Sequence, residues 1–217
     1  MSGHSKWSTI KRQKGATDAK RGAAFTKLGN AITIAVRQNQ GVENAVARAK
    51  AANMPKENIQ RSIDRGLGKG AGGELTEAVF EGFGPGGVAI MVETISDNNT
   101  RTVNELRNVF NKLGGSLGSL GAVSYLFSRV GEIEDGSLEQ ALEVNALDFE
   151  DGVIYTKPED LHQISQKLGL PGNLIFRPNK ETMVTVSDEA TLEKIHNLLN
   201  AIDDLDDVQN VYVNTAN

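Results

Sequence analysis

The chain has 217 residues, 39% of them hydrophobic, and a formal net charge of −5. That length can bury real cores in one large domain or in two or three small ones, and the composition argues against wholesale disorder. Cysteine is absent, which excludes disulfides and thiolate metal sites, and His4, His162 and His196 have no ligand spacing.

Residues 1–17 follow neither a helical nor a strand period and read as an arm. From about Asp18 to Gln40 the apolar residues Phe25, Leu28, Ile32 and Val36 share one helical stripe, with Lys20 and Lys27 on the opposite side. Gly41 breaks this helix. A second is expected from about Glu43 to Ala52. "NMPKENIQRSIDRGLG" predicts a third, with Pro55 near its first turn and Gly66 or Gly68 at its end. Its buried side carries Ile59 and Ile63, with Arg61 and Arg65 roughly opposite.

"GLGKGAGGELT" is a glycine-rich hinge, after which the period switches to two. "EAVFEGFG" and "GVAIMVETI" are expected as strands joined by the turn at 84–87. Then come a helix in "TRTVNELRNVFNKLGG", a strand in "AVSYLFSRVGEIE", a helix near 137–146, a strand near 150–156 and a helix from about Glu159 to Leu168. Strands near 173–177 and at 182–187, a helix from about Asp188 to Ile202 and a last strand at 208–213 complete the chain. Short alternating units of this kind predict an α+β fold of small sandwiches rather than one long parallel sheet.

Charge divides where composition does. Residues 1–73 hold 14 Lys and Arg against 4 Asp and Glu, a net of +10, and residues 74–217 hold 9 against 24, a net of −15. The division points to a polyanion-binding part attached to an acidic body, so nucleic acid is expected on the first third. The plainer reading is a basic face that docks on the protein's own acidic part.

The motifs that resemble catalytic chemistry lack their structural context. "GKGAGG" at 68–73 fits a dinucleotide fingerprint, but a helix precedes it and a strand follows, the reverse of what pyrophosphate binding requires. "GFGPGG" at 82–87 lies between two strands and reads as a hairpin turn. "GGSLG" at 114–118 matches the nucleophile elbow but follows a helix, so a loop is expected. Asp203, Asp204, Asp206 and Asp207 gather at a helix C-terminus without the spacing of a calcium loop. Carboxylates there oppose the helix dipole, which suggests a solvated turn or a cationic partner such as the protein's own basic third. Glu93 and Asp97 are a weak carboxylate pair. No enzyme, metal site or cofactor is expected.

That leaves "MSGHSKWSTIKRQKGATDAKRGAAFTKL", which holds the chain's one tryptophan. Lysine and arginine neutralise phosphates, and an indole can stack on an unpaired base. The expected contacts are Lys6, Trp7, Lys11, Arg12, Lys14, Lys20, Arg21 and Lys27, followed by Arg61 and Arg65. Trp7 folded back over residues 18–65 is the structural alternative. No helix-turn-helix with an evident recognition helix stands out.

"GHSKW" at 3–7, "DAKRG" at 18–22, "FTKL" at 25–28, "KAANMPKENIQRSIDRG" at 50–66, "EGFGPGGVAIMVE" at 81–93 and "LDDVQNVYVN" at 205–214 resemble the YebC/PmpR family. Its mitochondrial relatives are translational activators of cytochrome c oxidase. The resemblance implies a helical N-terminal domain followed by two α/β domains, the third inserted in the second. The divisions expected are 1–73, 74–134 with 206–217, and 135–205. It also implies a non-enzymatic protein, described in bacteria as a DNA-binding transcriptional regulator and in some members as a ribosome-associated translation factor. The alternatives for this chain are therefore promoter DNA, ribosomal RNA, or a protein-interaction module that uses the acidic surface. A cytoplasmic location without a membrane span is expected, a transit peptide being the alternative for the basic N-terminus. The family usually has a longer loop than "QNQGVEN" at 38–44, and often a further arginine in the stretch that here reads "DNNTRT".

Overall fold

A computed structural model describes residues 18–69 and 73–216, with the side chains from residue 21 onward. Three helices come first: α1 (Asp18–Gln38), α2 (Val42–Ala51) and α3 (Lys56–Gly66). Residues 39–41 join α1 to α2, and both Asn39 (φ 52°) and Gly41 (φ 67°) take the left-handed conformation of so tight a connection. Phe25, Leu28, Ile32 and Val36 meet Ala49, Met54, Ile59 and Ile63 in a small core, as the helical stripe requires. Helices α1 and α3 cross closely. A Cβ on Gly66 would lie 2.7 Å from the Thr33 carbonyl oxygen, so the crossing depends on glycine there.

The rest of the chain forms two four-stranded antiparallel sheets. The first has the order β3-β1-β2-β8, from β1 (Thr76–Phe83), β2 (Ala89–Ser96), β3 (Ser116–Leu117) and β8 (Val208–Val213). The second has the order β5-β6-β4-β7, from β4 (Phe127–Ile133), β5 (Asp148–Glu150), β6 (Val153–Thr156) and β7 (Gly172–Pro178). Helices α4 (Asn99–Lys112) and α7 (Glu189–Asp203) cover the first sheet, and α5 (Leu138–Glu143) and α6 (Leu161–Leu168) cover the second.

Alternation along the strands builds the layers. Ile90 and Val92 of β2 face Leu106 and Phe110 of α4 and Ile195, Leu198 and Ile202 of α7. Ala89 and Met91 face the other way, towards Val130, Tyr155 and Ile175 of the second sheet and Tyr212 of β8. On the far side of the second sheet Ile133 and Ile154 pack with Ala141, Leu161 and Ile164. The layers therefore run helices, sheet, sheet, helices, with the second sheet inserted between β3 and β8 in sequence. Among the described residues no helix is long and apolar enough to cross a membrane.

Several expectations need correction. The single strand near 150–156 is a hairpin, because Asp151 (φ 50°) and Gly152 (φ 82°) form a tight turn between β5 and β6. Residues 182–187 make one bridge, Val184 to Thr215, instead of a strand. The sheets also divide the chain at other points than 134/135 and 205/206. Strand β4 hydrogen-bonds within the second sheet, and α7 packs on the first. The hairpin at 84–87 forms as expected, with Gly84 N–H donating to the Val88 carbonyl at 2.8 Å and Gly86 and Gly87 at positive φ.

Candidate nucleic-acid interface

Lys6, Trp7, Lys11, Arg12 and Lys14 lie outside the described residues, as does the Lys20 side chain. Arg21 is exposed near the start of α1, and Arg61 is exposed on α3, where its guanidinium donates to Asn58 Oδ1. Lys50 and Lys56 are also exposed, on either side of the connection at 52–55, and Lys69 is exposed beyond α3. The sequence reading did not single these three out, although "KAANMPK" brings the first two together around a turn. The outward side of the helical unit is thus cationic, with Glu57 interspersed.

Two expected contacts are used inside the molecule. Lys27 is only 17% exposed. Its Nζ donates to the Asp203 carbonyl at 2.5 Å and lies 3.7 Å from the Asp203 carboxylate. A cation at the C-terminus of α7 offsets both the helix dipole and the carboxylate there. Arg65 is half-buried, and its Nη2 donates to the Gly73 carbonyl at 3.2 Å. Arg37 acts beside it, donating to the Leu75 carbonyl at 2.9 Å and pairing with Glu74 at 3.3 Å.

The reason is a second buried face on α1. Ala31 and Ile34 pack against Leu75 and Ile95 of the body, and Lys27 lies on that side. Gln38 Nε2 donates to Glu77 at 2.6 Å, and Asn44 Nδ2 to the Gly172 carbonyl at 3.3 Å, so both sheets touch the helical unit. The basic third docks on the acidic body through this seam and keeps a separate set of cations exposed.

The acidic cluster is also partitioned. Asp203 takes Lys27, and Asp207 is buried under Arg101 (2.9 Å), Thr102 Oγ1 (2.7 Å) and Ser96 Oγ (3.0 Å). Among the described residues no group of three or more His, Cys, Asp or Glu could hold a metal ion. Glu93 and Asp97 do not work as a pair: Glu93 accepts from Tyr212 Oη and Asn210 Nδ2, and Asp97 pairs with Arg101 at 3.1 Å.

A buried carboxylate that the sequence did not reveal is Glu81, 3% exposed. It accepts the backbone N–H groups of Gly121 (2.8 Å), Val123 (2.6 Å) and Ser124 (2.9 Å). Burial works to raise its pKa, but the backbone donors outweigh that and hold it below the usual carboxylate range. Asp148 is also held low, because Lys180 and Arg177 overcome its burial, and Asp188 is held low by Thr191. Burial pushes Tyr155 up to about 12 and Tyr212 well above its ordinary value. Each of these groups moves away from neutral pH.

Residues 5–69 match the family model for the "TACO1/YebC protein N-terminal domain", and residues 75–215 match the model for the "TACO1/YebC second and third domain". A "probable transcriptional regulatory protein" of Aquifex aeolicus is 43% identical to the chain, covering 99% of it and 95% of its own length. Proteins of the same name from Rubrobacter xylanophilus and Thermotoga maritima are 45% and 42% identical, each covering 99% of the chain. The crystal structure of a conserved hypothetical protein of Aquifex aeolicus superposes with a TM-score of 0.84 at 42% identity, covering 91% of each chain.

Proposed function

The chain belongs to the TACO1/YebC family, and from that premise we propose that it is a non-enzymatic regulator of gene expression that binds nucleic acid in the cytoplasm. The observation that carries the proposal is the charge division, +10 over residues 1–73 and −15 over the rest. Phosphate attraction and counterion release are then confined to the arm and the helical unit, and the body repels the same ligand. Lys6, Trp7, Lys11, Arg12, Lys14, Lys20 and Arg21 are the primary contacts, supported by Lys50, Lys56 and Arg61 on the exposed helical surface.

The relatives' name, probable transcriptional regulatory protein, favours duplex DNA as the ligand. A second reading, ribosomal RNA, is favoured by Trp7 among the cations of the arm, since an indole can stack on an unpaired base but finds none in a closed duplex.

The test is a salt-titrated competition. Labelled ribosomal RNA and promoter duplex compete for the intact protein and for a copy that lacks residues 1–17. Duplex preferred with sequence selectivity supports transcriptional regulation. Ribosomal RNA preferred, and lost with the arm, supports a role in translation. No salt-dependent binding to either refutes the proposal.

A further inference from the structure

Exposed leucines gather on and after α5, which covers the inserted sheet. Ser137 and Gln140 form a capping box that fixes the start of α5, and Ala141 faces inward onto Ile133 and Ile154. The opposite face carries Leu138 (58% exposed) and Leu142 (70% exposed), one turn apart. Leu147 follows at 53% exposure, fixed by its own N–H donating to the Tyr155 carbonyl at 2.7 Å. Single exposed leucines are ordinary, but three within ten residues on a fixed backbone form a patch.

Leu147 also lines a cleft of about 410 Å³ with Val144 and Ile164, where Lys157 and Asp160 are among the polar lining and Glu143 and Lys167 pair across 3.0 Å. Residues 134–168 hold nine Asp and Glu against two Lys; Arg177 and Lys180 pair with Asp148 and Glu150, and Lys167 pairs with Glu143, which leaves a net negative surface. An apolar strip inside so negative a field repels nucleic acid and acidic proteins alike, and draws cationic ligands that carry apolar side chains.

We propose that Leu138, Leu142 and Leu147, with the adjoining cleft, form a docking site for a lysine- or arginine-rich segment of a partner protein, with apolar residues spaced to meet the leucines. The acidic surroundings raise the rate of encounter, and the leucines hold the complex. This site works independently of nucleic-acid binding by the first third.

The experiment uses the full chain and a fluorescent helical peptide of lysines and leucines, with a lysine-only peptide of equal charge as control. Binding is read by anisotropy and by backbone amide shifts. The expected results are shifts confined to about 138–147 and 157–167, weak binding of the control, and at least a tenfold loss of affinity in Leu138→Ser/Leu142→Ser. Glu139→Gln/Glu143→Gln is expected to slow association and lower its salt dependence. Unchanged affinity in the leucine variant, or shifts spread over the whole acidic surface, overturns the proposal. A self-association by sedimentation that the leucine variant abolishes also overturns it, since the occupant would then be a second copy of this chain.

Discussion

The helical unit and the sheet body handle charge and burial in opposite ways. The body buries a broad core between α4, α7 and the first sheet, and a second between the sheets. The helical unit buries Ile32, Ala49, Met54 and Ile59 and little more. It completes its burial by leaning Ala31 and Ile34 on Leu75 and Ile95. A small unit that presents cations outward has less surface left for a core, and the adjoining acidic body supplies both apolar contact and counter-charge.

That contrast can be broken from the body first. Phe110→Ala empties a fully buried site and is expected to cost about 3–5 kcal/mol in a denaturant titration, with nucleic-acid affinity unchanged while the protein stays folded. Gly66→Val sets side-chain atoms against the Thr33 carbonyl and Val36 and should cost about 1–3 kcal/mol. Helix signal and nucleic-acid binding should then be lost before the sheets melt, giving two transitions in place of one.

Glu81→Gln takes a charged acceptor from three backbone N–H groups, that of Val123 buried, an expected loss of about 1–3 kcal/mol at neutral pH. Because the folded pKa of Glu81 is depressed, its contribution is present above the unfolded value and fades as pH falls through the folded one. The gap between variant and parent should therefore close below about pH 4, as measured by denaturation at several pH values. Replacing Lys11, Arg12 and Lys14 together with Ala should weaken binding to all sequences about tenfold, worth about 1.4 kcal/mol, and flatten the salt slope by about 2–3 on duplex. An unchanged slope would remove the arm from the interface. Lys27→Met sharpens the comparison most finely. It should cost at most about 1 kcal/mol of stability and leave nucleic-acid affinity intact, because Lys27 serves the seam.

The continuous apolar run in "GVAIMVETI" was legible as a strand because β2 is buried on both sides, and the stripe from Phe25 to Val36 was legible because it faces the core of the helical unit. Lys27 reads as outward-facing in the sequence, whereas α1 has a second buried side, through Ala31 and Ile34, that is short and partly hidden by alanine. The Asp151–Gly152 pair was a readable turn signal inside an apolar run that passed for one strand. Val184 and Val186 look like a strand, yet only Val184 bridges, and Val186 goes into the core below α7. The membership of β4 and α7 followed from tertiary pairing that no local pattern encodes. Glu81 left no signal either, since its donors lie some forty positions further along the chain.

The insertion of the second sheet has a consequence for the order of assembly. The Ala89 N–H donates to Asn214 Oδ1 from 125 positions away, and β8 is the edge partner that completes the first sheet against β2. During synthesis the three helices and the inserted hairpins can close locally, whereas β2 waits with one edge unpaired until β8 has left the ribosome. The cationic helices can therefore form their own small core while the acidic body is still open. Folding of the nascent chain thus passes through a stage in which the positive end is formed and its negative counterweight is not.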